Sequence, residues 1–304
     1  MTLQNLSERK QYFYDHILTS PISRRKEILR NMKKWIITNQ DFIVGALATD
    51  LGKSRPESLI SEIKPTLNEI SFAIKNLNHW SKAERVPASL PLLGTKSYIY
   101  YEPKGICLVI APWNFPFLLT LGPVISALAA GNGVIIKPSE FTEATSKVIA
   151  KMMQDLFDER EVKVVHGDAS VSQNLISLPF DHIFFTGSPQ VGKIVMGAAS
   201  KNLSSVTLEL GGCNLAVITD KANVKDSAQK IAWGKLLNCG QACIAPNMLF
   251  VHQSKLEKFQ KELIKQIEIL NTGTGKIVNT KHFKRIKELF DSSKQYGSKT
   301  TYCP

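Results

Sequence analysis

The chain has 304 residues, 43% hydrophobic and 21% charged, which supplies a substantial core and excludes a disordered or low-complexity protein. Its formal charge of +12 comes from 38 Lys and Arg against 26 Asp and Glu and points to an anionic partner or a solvated basic surface. The basic residues lie scattered on helix-like stretches, as in Arg24, Arg25, Lys26 and Lys281, Lys284, Arg285, without interleaved aromatics, so no nucleic-acid partner is expected.

In chain order, the N-terminus carries polar Thr2, Gln4, Asn5 and Ser7 and no apolar targeting core. The first third reads as helical: Ser20-Pro21 offers an N-cap and first-turn start, and Ile28, Leu29, Met32, Trp35 and Ile36 form an apolar stripe. Lys96 to Pro103 is aromatic and β-rich, an arm strand apart from the helices around it. Gly105 to Ile136 carries no formal charge and would pass for a membrane span. Its prolines and glycines instead cut it into a strand (106–110), a turn, a helix (about 116–129) and a second strand (134–136), so no membrane partner is expected. Further strands follow at 162–165, 182–186, 204–210, 215–218 and 248–252, with helices between. This alternation predicts an α/β fold with a doubly wound parallel sheet. The natural boundary is the Glu209-Leu-Gly-Gly turn, giving units 1–208 and 209–304.

Five cysteines (Cys107, Cys213, Cys239, Cys243, Cys303) at irregular spacing suit a reducing cytoplasm. Cys243 ends the run Asn238-Cys-Gly-Gln-Ala-Cys243, and Glu209 sits inside the uncharged, strand-like run 206–212. A thiolate can attack a carbonyl carbon and a carboxylate can activate the water that releases the acyl group, so the pair suggests covalent acyl chemistry. Cys239 and Cys243 could instead form a redox or metal pair, but no Cys or His cluster nearby completes a zinc site, so no metal is expected, and Cys239 reads as an inert buried thiol. His166 reads as a loop residue. Gly187-Ser-Pro-Gln-Val-Gly192-Lys193 matches a phosphate loop until Ile194 stands where a magnesium-holding Ser or Thr is needed. That excludes an NTPase and leaves two readings, a pyrophosphate site at a helix N-terminus or a tight strand-to-helix turn. Gly131-Asn-Gly133 lacks the third glycine of a dinucleotide fingerprint.

Taken together the residues resemble the aldehyde dehydrogenase superfamily, and its class 3 type branch in particular. The matching stretches are Ala111-Pro-Trp-Asn-Phe-Pro116, Lys137-Pro-Ser-Glu140, Phe185-Thr-Gly-Ser188 with Val191-Gly192, Leu208-Glu-Leu-Gly-Gly212 and Asn238 to Cys243, in family order from about Arg24 to about Arg285. The resemblance implies NAD-dependent oxidation of a small-molecule aldehyde to a carboxylic acid. In it Cys243 is the nucleophile, the Asn114 side-chain amide and the Cys243 N–H hold the oxyanion, and Glu209 activates the water that hydrolyses a thioester on sulfur. It also implies adenosine-ribose contacts from Lys137 and Glu140 and a pyrophosphate seat built around Gly187, Ser188 and Gly192, with Trp113 in the same cofactor site. A carboxylate at position 140 favours NAD over NADP while leaving NADP open.

The resemblance also implies a shortened catalytic domain. No Phe-Gly-Pro follows Cys243, the family's usual lysine after Glu-Leu-Gly-Gly is Cys213, and the sequence closes at Lys299-Thr-Thr-Tyr-Cys-Pro304. Two consequences are expected: a homo-oligomer weakened by loss of the strand that should pair with the arm, and, as the alternative function, a catalytically weak or inactive relative.

Overall fold

Thr2 opens the chain with a reciprocal cap, its hydroxyl accepting from the Asn5 N–H at 3.2 Å while the Asn5 side chain accepts from the Thr2 N–H, and this starts α1 (Leu3–Tyr12). The computed structural model describes residues 1–92, 94–270 and 275–299; Cys303 and the rest of the 300–304 stretch lie outside them. Helix α2 (Ile22–Thr38) has Pro21 rather than Ser20 at its N-cap, with no side-chain cap. The predicted stripe is its core face: Leu29, Met32 and Ile36 are fully buried, with Ile28 and Trp35 at the margin. α3 (Gln40–Leu51) ends at Gly52, whose left-handed φ of 67° closes the helix. α4 (Arg55–Ser58) runs without a break through a wider π turn into α5 (Lys64–Trp80).

Two short strands follow, β1 (Glu84–Val86) and β2 (Ser97–Ile99), paired antiparallel. The arm segment therefore forms over a shorter span than 96–103. It pairs with a strand the sequence did not reveal, upstream, in a charged run without alternating apolar residues.

β3 (Ile106–Ile110), α6 (Leu118–Ala129), β4 (Gly133–Lys137), α7 (Glu143–Leu156), β5 (Val162–Val164), α8 (Ala169–Ile176), β6 (His182–Gly187), α9 (Pro189–Ser200) and β7 (Ser205–Leu210) build a five-stranded sheet. All its pairings are parallel and the order is β5-β4-β3-β6-β7. The expected doubly wound α/β fold is thus present. Side chains alternate across it: Val109, Val134 and Ile136 face the core shared with α2, α3, α5, α6 and α7, while Ile106, Leu108, Ile110 and Ile135 face the core shared with α1, α8 and α9. Because both faces are covered at the centre of the sheet, β3 and β4 are buried throughout and read as continuous apolar runs, which is why the charge-free segment 105–136 looked membrane-like. Among the described residues no helix is long and apolar enough to cross a membrane.

Beyond β7, β8 (Asn214–Ile218) and β9 (Pro246–Val251) form a separate two-stranded parallel sheet. α10 (Val224–Leu236) and α11 (Leu256–Leu270) cover one face through Val224, Ala228 and Phe259, and α12 (Thr280–Gln295) completes the described chain.

The entry to β3 is sterically tight. Gly105 has φ +130°, and a Cβ there would fall inside the Asp181 carboxylate, which accepts the Ile106 N–H at 2.7 Å and the Lys10 ammonium at 2.7 Å. Gly105→Ala is expected to destabilise the fold by about 1–3 kcal/mol, read as a lower urea midpoint at unchanged slope.

Candidate active site

The sheet order reverses between β3 and β6, and ligands of doubly wound sheets bind at the carboxyl ends of the strands at such a switch point. The segment leaving β3 carries Trp113 and Asn114; the turn leaving β6 carries Ser188. Asn114 is anchored through both its backbone and its side chain. Its backbone carbonyl accepts from the Lys53 ammonium at 3.0 Å and from the Asn238 amide at 2.7 Å. Its own side-chain amide donates to the Gln241 carbonyl at 3.0 Å. An amide NH2 has two donors, so a bond to Gln241 fixes the amide plane and leaves the second N–H for a ligand. The Asn114 Oδ1 is buried without a partner, as befits a group held for a purpose other than packing.

Gln241 belongs to the loop that carries Cys243, and the backbone of that loop is strained. Asn238 (φ 52°) and Cys239 (φ 55°) are left-handed without being glycine, followed by Gly240 at φ 75°. The surroundings hold this conformation. The Asn238 N–H donates to Glu57 at 2.8 Å, and the Gln241 side chain donates to the Asn238 and Lys276 carbonyls at 3.0 and 3.1 Å and accepts from Val278 N–H at 3.1 Å. Asn214, first residue of β8, donates to the carbonyls of Cys243 at 2.6 Å and Ala245 at 3.0 Å. Cys243 is presented on this platform as an exposed thiol. Cys239, expected as a buried inert thiol, is also exposed, and its sulfur faces Gly275, where a Cβ would lie 2.7 Å away. Burial and the nearby Glu57 carboxylate push its thiol up, away from the thiolate form. Cys107, inside β3, is pushed up to about 12, chiefly by burial. Glu209 stands exposed on edge strand β7, opposite Thr186. The turn 210–213 connects its strand to Asn214, which bonds the Cys243 loop, and among the described residues Glu209 forms no ion pair.

The other half of the site lies at the ends of β4 and β5. Lys137 is 2% exposed; its ammonium donates to the Pro138 carbonyl at 2.8 Å and to Glu140 at 3.3 Å. Glu140 borders a cavity of about 520 Å³ together with Ser139, Glu143, His166 and Asp168. His166, read from sequence as a plain loop residue, lines this cavity. Its imidazole is pushed down by burial, then by the Lys137 and Lys147 ammoniums. Ser188 caps α9, its hydroxyl accepting from the Val191 N–H at 3.3 Å. Gly192 has a packing role: a Cβ there would come within 2.8 Å of Leu210 Cδ2, so its small size lets α9 lie against β7.

Trp113 has a partner that sequence reasoning missed. The His282 ring, at the start of α12, lies 5.2 Å from it at 46°, with Phe141 6.3 Å on another side. His282 is pushed down by burial, then by Arg285 and Lys281, and its Nδ1 is buried without a partner. Only a local signal was available, the Asn279 cap that starts α12 by accepting from the His282 N–H at 2.9 Å, and that signal says nothing of Trp113.

Residues 9–302 match the profile of the aldehyde dehydrogenase family. The 4,4'-diaponeurosporen-aldehyde dehydrogenase of Staphylococcus aureus is 43% identical over 300 residues, 95% of this chain and 65% of that protein. Family 3 member B2 of Mus musculus is 39% identical over 278 residues, 89% of this chain and 58% of that protein. Among solved structures, the substrate-bound state of Staphylococcus aureus AldH superposes with a TM-score of 0.91 at 40% identity, covering 97% of this chain and 66% of that one. An NAD-dependent benzaldehyde dehydrogenase of Corynebacterium glutamicum gives 0.88 at 25% identity, covering 98% and 67%. The chain thus spans about 58–65% of the length of these curated relatives. A match that runs through the Asn114 segment, the Glu209 strand and the Cys243 loop alike leaves one assignment: the chain belongs to the aldehyde dehydrogenase family.

Proposed function

We propose that this chain carries the machinery for NAD-dependent oxidation of an aldehyde to a carboxylic acid, with Cys243 as nucleophile. The observation that carries the proposal is the Asn114 amide, oriented by Gln241 within the very loop that presents Cys243. The Cys243 thiolate attacks the aldehyde carbonyl carbon; a C–S bond forms and the carbonyl π pair moves to oxygen. The second Asn114 N–H and the Cys243 backbone N–H meet that oxyanion, favouring the charge only as it develops. NAD, when bound, supplies the acceptor for the hydride that leaves this carbon. Glu209 then takes a proton from water, which attacks the thioester carbonyl, breaks the C–S bond and releases the acid. Its exposure on an edge strand gives water access to it.

The residues suit the cofactor. The carboxylates of Glu140 and Asp168 in this cavity are acceptors for a ribose diol, and Lys137, with two of its three ammonium donors engaged, keeps one for the same ribose. The carboxylate of Glu140 disfavours a 2'-phosphate, which selects NAD over NADP. Ser188 and the N-terminus of α9 offer backbone amides to the pyrophosphate, with Gly187 and Gly192 keeping the turn tight. Trp113, stacked near His282, walls the site toward the nicotinamide end. In this reading residues 1–208 bind the cofactor and residues 209–304 contribute the nucleophile and base, the protein works in the reducing cytoplasm, and it self-associates weakly through its arm.

A second reading, a relative with weak or no turnover, is favoured by one observation: Cys243 and Glu209 are both exposed, and hydrogen-bond donors are worth far less to an oxyanion in water than in a closed site. The two readings separate in one assay on purified protein. The first expects aldehyde-dependent NADH formation that vanishes in Cys243→Ala; the second expects only Cys243-dependent ester hydrolysis. Neither signal in the wild type would reject the first reading and leave an inactive relative. In the first case Glu209→Gln is expected to release a stoichiometric burst of NADH and then slow at least a hundredfold, with the acylated Cys243 peptide visible by mass spectrometry. Glu140→Gln should narrow the preference for NAD over NADP about tenfold, seen in the ratio of the two kcat/KM values.

A further inference from the structure

Lys53 and Glu62 are both fully buried and joined at 2.5 Å. Among the described ion pairs theirs alone has both side chains at 0% exposure. Taking two charges out of water is expensive, and apolar side chains of similar volume would pack there at least as well. What distinguishes the pair is where its remaining valences go. The Lys53 ammonium donates to the Asn114 carbonyl at 3.0 Å and lies 4.2 Å above the centre of the Phe115 ring. The second oxygen of Glu62 accepts the N–H groups of Phe117 at 3.1 Å and Leu118 at 2.9 Å, the first turn of α6. Among the described residues, every side-chain hydrogen bond of Lys53 and Glu62 outside the pair thus lands on the segment 114–118. From the same stretch of chain, Glu57 accepts the N–H of Asn238, at the strained start of the Cys243 loop. Residues 53–62 therefore grip both halves of the oxyanion site from behind, and the Asn238 amide closes the circuit by donating to the Asn114 carbonyl.

We propose that Lys53 and Glu62 are positioning residues, a buried ionic clamp that sets the Asn114 amide against the Cys243 loop. The proposal rests on the reading of Cys243 as nucleophile and Asn114 as oxyanion donor. Lys53 acts through the Asn114 backbone and Glu62 through the amides that follow it. Their effect falls on the orientation of one N–H.

The test needs no turnover. Hexanal, without NAD, is titrated against alkylation of Cys243 by iodoacetamide, read on the Cys243 peptide by mass spectrometry, in wild type, Asn114→Ala and the double variant Lys53→Met/Glu62→Leu. Removing both charges together leaves neither unpaired, so the double variant is expected to melt within a few degrees of wild type and to alkylate at the wild-type rate in the absence of hexanal. It is expected to need about tenfold more hexanal for half-protection, as Asn114→Ala does. A purely structural role would change melting or bare alkylation and leave the hexanal requirement in place. Should the double variant fail to fold, Glu62→Gln, which keeps an acceptor for the α6 amides, carries the same expectation. Full protection in a folded clamp variant, with loss in Asn114→Ala, overturns the clamp alone. Unchanged protection in Asn114→Ala, or none in wild type, overturns the oxyanion assignment and the clamp with it.

Discussion

The buried Lys53–Glu62 pair is the interaction on which the geometry of the site turns. Two charges without solvent are tolerated only when hydrogen bonds satisfy what their mutual attraction leaves over. Here those bonds run to backbone, to a carbonyl at Asn114 and to two amides at the start of α6. Backbone contacts make the pair a geometric constraint: the segment between β3 and α6 cannot shift without exposing an unpaired charge in a dry interior. Burial pushes the Glu62 carboxyl up, and Lys53 with the two amides pulls the other way.

That constraint is useful because of where the sheet places it. In the order β5-β4-β3-β6-β7 the chain moves outward from β3 in one direction and then, from β6, in the other. The ends of β3 and β6 therefore diverge into helices on opposite faces and leave a crevice between them. Lys137 closes one side at the end of β4, where its carbonyl also accepts the Ala111 N–H at 3.0 Å. The crevice is built from strand ends, which the apolar core holds rigid, and from short turns whose backbone groups remain available.

The Cys243 loop is stabilised differently. It has almost no apolar anchor of its own, Ala245 being its buried side chain. Left-handed Asn238 and Cys239 cost backbone energy, offset by hydrogen bonds from Glu57, Asn114, Asn214 and the 276–278 segment. Each of those partners comes from a different part of the chain, so the loop adopts its shape only after the rest has assembled. The sheet β8–β9 next to it shows the same dependence on neighbours. One face is covered by α10 and α11, while Leu215, Val217, Met248 and Phe250 remain exposed on the other.

Most of the central sheet was legible because buried parallel strands and amphipathic helices write themselves locally. The strands at 106–110, 134–136, 162–165, 182–186 and 204–210 differ from the observed ones by a residue or so, and the stripe at Leu29, Met32 and Ile36 was the core face it resembled. The partner of the arm strand was not legible, since Glu84–Val86 has no alternation to betray it. The chemical identities of Cys243, Glu209 and Asn114 could be proposed from short motifs. The arrangement that would make them a site could not. Lys53 meets Asn114 across 61 residues, Asn114 meets Gln241 across 127 and Glu57 meets Asn238 across 181. His282 on Trp113, His166 on the cavity beside Glu140 and the exposed Cys239 belong to the same class. The sequence alone determined the strands and helices of the central sheet and the motifs that suggest reactive groups, because hydrophobic period and motif chemistry act over a few residues. Only the tertiary structure decided which groups hold the Asn114 amide and the Cys243 loop, because that depends on buried hydrogen bonds between residues that are distant in the chain and meet only when the core has closed.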